Sequence, residues 1–151
     1  ILQDKARYYG AEIEGSVTLA QMGDFALNFD AVGDFTHATI LRAGGNQAAP
    51  RIPALRLLGG LEAKSEKLDI RAETEWVDGQ NRVAPFETTT KGYTMVNTSV
   101  ALRPWGRYRD VSLMVSANNI FDVNARRHAS FLKDYAPLAG RDVRVSLRFG
   151  F

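Results

Sequence analysis

The chain has 151 residues, of which 45% are hydrophobic, 24% charged and 10% aromatic, with 13 Gly, 5 Pro and no Cys. That apolar fraction excludes a disordered chain, and the lack of Cys excludes a disulfide scaffold and any Cys-based metal site. The 19 basic and 17 acidic side chains leave a net charge of only +2, scattered along the chain, which argues against a nucleic-acid partner.

Apolar residues recur mostly at period two, with Gly, Asp and Asn between the runs, the pattern of strands joined by turns. No run of ~18 apolar residues is present to form a membrane-crossing helix. The first strand sets Tyr9, Ala11, Ile13, Val17 and Leu19 against Glu12, Glu14, Ser16 and Thr18. A short connection, Met22-Gly23-Asp24, leads to a second run over Phe25–Arg42, with Phe25, Leu27, Phe29, Ala31 and Phe35 opposite Asn28, Asp30, Asp34 and Thr36. After a long connection, Ala43–Pro53, the third run places Leu55, Leu57, Gly59, Leu61 and Ala63 against Arg56, Leu58, Gly60 and Glu62.

Beyond the short Ser65–Lys67, the fourth run sets Leu68, Ile70, Ala72, Thr74 and Trp76 against Asp69, Arg71, Glu73 and Glu75. The long Asn81–Lys91 precedes a fifth strand over Gly92–Pro104, with Thr94, Val96, Thr98, Val100 and Leu102 on one side. Gly106–Asp110 is short, and Val111, Leu113, Val115 and Ala117 then share a face. The long Ile120–Gly140 leads to the last strand, where Val143, Val145, Leu147, Phe149 and Phe151 alternate with Asp142, Arg144, Ser146, Arg148 and Gly150. About seven strands result, with short and long connections alternating.

Three architectures share such alternation. A soluble β-sandwich binding module would pack the apolar faces of two sheets together. A membrane barrel would turn them to lipid and keep a polar lumen. In the barrel case a small, self-closing outer-membrane enzyme is one form and a larger transporter another. Charged rows within strands, strands longer than the ~5–6 residues of soluble sheets and tight turns opposite long loops favour the barrel. So do aromatics near strand ends, Tyr8, Tyr9, Trp76, Tyr93, Trp105, Tyr108, Phe149 and Phe151, which are suited to interfacial girdles. Seven strands leave two bare edges, which hydrocarbon does not tolerate, and no signal peptide opens the chain. The expectation is the C-terminal portion of a larger barrel.

Several stretches carry a resemblance: residues 6–15 (ARYYGAEIEG), 50–53 (PRIP), 86–94 (FETTTKGYT), 118–122 (NNIFD), 137–141 (PLAGR) and the terminal strand ending in Phe151. In this order and spacing they resemble the C-terminal part of a TonB-dependent outer-membrane receptor. The resemblance implies an all-β, antiparallel transmembrane barrel of about 22 strands, with residues 1–151 as its C-terminal part and the plug domain elsewhere. It implies TonB-dependent uptake of a scarce nutrient such as a ferric siderophore, haem or another metal complex, with no catalytic residue, resident metal or cofactor. The TonB complex would act through a preceding N-terminal region. The other partners implied are the extracellular ligand, outer-membrane lipid and lipopolysaccharide, and the barrel-assembly machinery, which would read Phe149 and Phe151. The C-terminus and short turns would be periplasmic and the long loops extracellular.

Within that frame, Arg126, Arg127, His128, Lys133 and Arg141 form a basic group in the last long loop, suited to an anionic chelate or to a solvated cell-surface role. Asp69, Arg71, Glu73, Glu75, Arg144 and Arg148 would line the lumen, pairing with neighbouring strands or the plug. Residues 130–137 read as a helical turn over the lumen. His37 and His128, the two histidines, are possible metal ligands, but no spacing brings them together.

Overall fold

The computed structural model describes residues 4–106 and 111–150. They form one antiparallel sheet. Its strands are β1 (Lys5–Met22), β2 (Phe25–Leu41), β3 (Gln47–Ala48), β4 (Arg56–Lys64), β5 (Leu68–Val77), β6 (Tyr93–Leu102), β7 (Val111–Asn118) and β8 (Asp142–Phe149). Apart from β3, each long strand pairs with its neighbours in sequence, in the order β1-β2-β4-β5-β6-β7-β8. The two-residue β3 lies inside the Ala43–Pro53 connection and pairs with the far end of β2 through Thr39↔Ala48. No helix among the described residues is long and apolar enough to cross a membrane, which leaves crossing by strands open.

The connections have two lengths. Gly23, at φ 60°, closes a tight hairpin between β1 and β2, a backbone conformation that glycine adopts without steric cost. Ser65 closes the next one, its amide and hydroxyl both donating to the Leu68 carbonyl. The third short turn, expected at Gly106–Asp110, lies outside the described residues except for Gly106, as do Tyr108 and Phe151. Residues 42–55, 78–92 and 119–141 all gather at the opposite end.

Register fixes the faces. Asp30 sits opposite Gly60, Gly60 opposite Glu73 and Glu73 opposite Asn97, so these four share one face. Phe29, Leu61, Ala72 and Thr98 share the other. Every carboxylate within a strand falls on the charged face. The alternation breaks once, at a β-bulge between Thr18 and Ala20. It takes up Leu19 and restores Ala20 and Met22 to register with Leu27 and Phe25, as an inserted residue does.

No second layer covers the apolar face among the described residues. Ile13 is 76% exposed and Val145 68%, values foreign to a sandwich core. The buried apolar cluster lies instead at the loop end, where Ala38, Ala49 and Ile52 pack with Ile40. The sandwich reading fails on this point. The self-closing small barrel fails too, because among the described residues β1 pairs only with β2 and β8 only with β7, leaving both as edges.

The aromatic girdle needs correction. Period two sends adjacent Tyr8 and Tyr9 to opposite faces, so Tyr8, opposite Ala38, stands on the charged face. Tyr93 is also on that face, opposite Val77, and is buried. Tyr9, Trp76 and Phe149 lie on the apolar face, joined by Phe29 and Phe35, while Trp105 lies exposed in a turn.

Candidate functional site: a charged wall under a loop cap

On the charged face, ion pairs brace neighbouring strands. Arg71 on β5 reaches over β4 and grips Asp30 of β2 with two bonds, 2.6 and 2.9 Å, while also donating to Glu73. The guanidinium passes directly above Gly60, where a Cβ would collide with it. A glycine at this register position is therefore what permits a bond that skips a strand. Bidentate arginine–carboxylate pairs of this kind are the strongest of their class.

The other expected wall residues are also paired. Asp69 accepts from Arg103 at 2.6 Å. Glu73 accepts from Asn97 at 3.1 Å. Glu75, almost wholly buried, faces Arg56 at 3.6 Å, and Arg56 bonds Asp34 at 2.6 Å. Arg144 reaches Asp142 at 2.9 Å. Arg148 stands on the same face, in register with Ser112.

At the loop end a single carboxylate joins three connections. Glu87, from the 78–92 loop, accepts the Arg51 amide (2.9 Å) of the 42–55 loop on Oε1 and the Ala84 amide (3.0 Å) of its own loop on Oε2. Its Oε1 also meets Lys133 Nζ at 3.1 Å and His128 Nε2 at 3.2 Å, both from the 119–141 loop. Lys133 donates further to the Thr88 carbonyl at 2.7 Å, and His128 Nδ1 lies 2.9 Å from the Thr90 hydroxyl. The Arg51 guanidinium sits 3.5 Å above the Phe131 ring, a cation–π contact between two of the loops.

The electrostatics follow from these contacts. Burial would raise the Glu87 pKa. The two backbone amides and the Lys133 ammonium outweigh it and hold the carboxyl down at about 2. Burial, with the Lys133 charge beside it, pushes His128 below its ordinary value despite the opposing pull of Glu87. The ring is thus neutral at pH 7, and its bonds suit a proton on Nε2 donated to Glu87.

The base of the last loop is held by Asn119, which is buried with φ 49°. Its amide nitrogen bonds Asn97 Oδ1 at 2.8 Å, its side-chain nitrogen reaches the Val123 and Ala139 carbonyls, and its side-chain oxygen accepts the Val123 amide. Asp122 likewise accepts the Arg141 amide at 2.9 Å. The stretch 118–122 is therefore a loop anchor.

The five basic residues of the last loop separate into different roles. His128 and Lys133 are consumed by the Glu87 junction. Arg126 donates to the Lys133 carbonyl. Arg141 lies at the loop base, 3.5 Å from the Ile120 carbonyl. Arg127, with His128 beside it, lines a cavity of about 230 Å³ together with Asp34, Arg56, Glu75 and Tyr93 on the charged face beneath the cap. Residues 130–136 turn in helical fashion through Lys133 N to Ser130 O and Ala136 N to Leu132 O.

His37 is nowhere near His128. It lies on the apolar face, stacked on Tyr9 at 4.7 Å. Among the described residues no cluster of three His, Asp or Glu side chains could hold a metal ion. Glu87, Thr90 and Asn119 hold the loops together at positions that periodicity did not single out. The signals at Glu87 are its place in a long loop between Pro85 and a run of threonines and within the stretch 86–94 that carries the resemblance.

No protein-family model matches the chain. Among solved structures it is similar to one described as "Copper transporter OprC", with a TM-score of 0.74 and 21% identity over 97% of this chain. The chain spans 24% of that protein's length. The likeness is one of fold.

Proposed function

We propose that these residues are the C-terminal part of a TonB-dependent outer-membrane receptor barrel that imports a metal chelate. The observation that carries the reading is the uncovered apolar face. Its exposed Ile13, Val17, Leu61, Ile70, Val143 and Val145 need a hydrocarbon surround, while the opposite face is braced by ion pairs suited to a wet lumen. The fold shared with a copper transporter supports a transport role. Free edges at β1 and β8 fit a wall that closes through further strands, about 22 in all in this receptor class.

In this reading the Gly23 and Ser65 turns are periplasmic and the three joined loops are extracellular. The cargo meets the cavity of Arg127, Tyr93, Arg56 and Glu75 as a preformed complex, oriented by hydrogen bonds and charge. The chemistry is binding and release, with energy supplied from outside this chain through TonB.

Two measurements test this. Carbonate-washed membranes should retain the protein until detergent is added; release by carbonate alone would overturn the membrane reading. These 151 residues contain no Cys, so single cysteines introduced here report orientation once any in the rest of the barrel are replaced. Phe86→Cys should react with an impermeant maleimide on whole cells, and Asp24→Cys only after permeabilisation. Uptake of ferric siderophore, haem and copper complexes, compared with and without TonB, then identifies the cargo.

A further inference from the structure

The cavity beneath the cap carries charge of both signs, each on its own element. One side is a row of the charged face, in which Asp34 stands opposite Arg56, Arg56 opposite Val77 and Val77 opposite Tyr93. Glu75 lies two residues from Val77 along β5, on the same face. The other side is loop, including Arg127, His128 and Ala129.

Two carboxylates and one guanidinium leave the strand side negative, and Glu12, opposite Asp34 on β1, adds to the excess. Arg56 bonds Asp34 at 2.6 Å but stands 3.6 Å from the buried Glu75, beyond hydrogen-bond length. Glu75 is therefore the carboxylate left for a ligand. On the loop side the charge is that of Arg127, since His128 is neutral at pH 7. The Arg127 guanidinium lies beside the Tyr93 hydroxyl and, among the described residues, pairs with no carboxylate. With His128 and Lys133 tied to Glu87, the last loop offers this cavity too little positive charge for a polyanionic chelate.

Such a pattern selects against ligands of one sign. An anion satisfies Arg127 but faces Glu75 and Asp34, and a cation meets the reverse. An apolar group strips water from both poles without replacing its bonds. A molecule with both charges meets each pole. Volume sets its size: about 230 Å³ is space for about eight waters at ~30 Å³ each, enough for an amino-acid head but not for a whole chelate. We propose that this cavity binds a zwitterionic amino-carboxylate head, with its carboxylate on Arg127 and its ammonium on Glu75. The proposal rests on the reading of the chain as a receptor for a metal chelate and names the part of the cargo that is recognised. That head must stand clear of the metal, its two charged groups not spent as ligands. Guanidinium and carboxylate then pair through two parallel bonds, while the ammonium has three donors for the carboxylates of the wall.

The test is a ligand-observed NMR titration of the intact protein in detergent with norvaline and its two deletion analogues, valerate, which lacks the ammonium, and butylamine, which lacks the carboxylate. Norvaline should bind about tenfold tighter than either, the size of one lost charge-assisted bond. Arg127→Gln should erase its advantage over butylamine and spare that over valerate; Glu75→Gln should do the opposite. Circular dichroism of each variant verifies the sheet, and should Glu75→Gln fail to fold, the exposed Arg127 still decides through its half of the pattern. The gallium chelate of Nε-dihydroxybenzoyl-lysine, which carries the same head clear of the metal, should bind at least as tightly as norvaline. Its exclusion would leave a site for free amino acids and overturn the link to the cargo. Equal binding of norvaline and its analogues, or advantages that survive both substitutions, would overturn the site itself. Release from membranes by carbonate would instead strike the receptor reading whatever norvaline does, so the failures are distinguishable.

Discussion

The wall and the cap are built on opposite principles. In the wall, each residue's role follows from its position modulo two, and energy is spread over many modest cross-strand contacts. In the cap, a few side chains from distant loops converge, and Glu87 alone bonds residues 36 and 46 positions away. The wall should therefore tolerate most single changes that respect its faces, whereas the cap should fail at one residue.

The largest expected effect is at the junction. Glu87→Ala leaves buried Lys133 without its carboxylate and frees the Arg51 and Ala84 amides, a loss of about 3–5 kcal/mol of local stability. Limited proteolysis near the exposed Phe86 and Tyr135 should accelerate sharply; an unchanged cleavage rate would mean the loops are held elsewhere. Next comes a contrast within the wall. Leu61→Arg, on the apolar face, should destabilise the vesicle-embedded protein by about 2–4 kcal/mol, whereas Glu62→Arg, on the other face, should cost far less. Equal denaturant midpoints for the two would erase the distinction between faces.

Acidification should act on the cap before the wall. Both His128 and Glu87 have folded pKa values below their unfolded ones, so each contributes stability that is complete at high pH and lost as pH falls. The His128 contribution declines below about pH 6.5. That of Glu87 declines from its unfolded value near 4.5 towards about 2. Amide exchange at Arg51 and Ala84, corrected for intrinsic rates, should rise in that order, with wall amides lagging. The smallest effect is at Gly60→Ala, which displaces the Arg71 guanidinium from Asp30 for about 1 kcal/mol, the range of a partly exposed ion pair. Arg71→Gln should then add little to it in a double-mutant cycle.

The same contrast explains what could be read from sequence. The strands, their faces and the ends bearing long loops were legible, because side-chain alternation is a local property. The ion-pair rows were visible as Asp69–Glu75, though not that Arg71 would skip a strand to Asp30, since that needs register and the empty space over Gly60. Tyr8 was misassigned to a girdle because end placement was weighed ahead of parity. Leu19 looked like the next residue of a regular face, and a bulge has no period to betray it. His128 and Lys133 were grouped with Arg127 by proximity in sequence. Only the fold shows that Glu87, from another loop, takes two of them and leaves Arg127 facing a cavity.

The Arg71–Asp30 brace also bears on how the wall is put together. It ties β5 to β2 across the back of β4, and it forms only when both neighbours are threaded in one alignment. Sliding β4 by one residue in the direction that brings Leu61 to the place of Gly60 would put a leucine side chain under the guanidinium and take Leu61 off the apolar face. A sheet misthreaded in that direction forfeits its cross-tie and its continuous apolar face together, so correct alignment is rewarded twice.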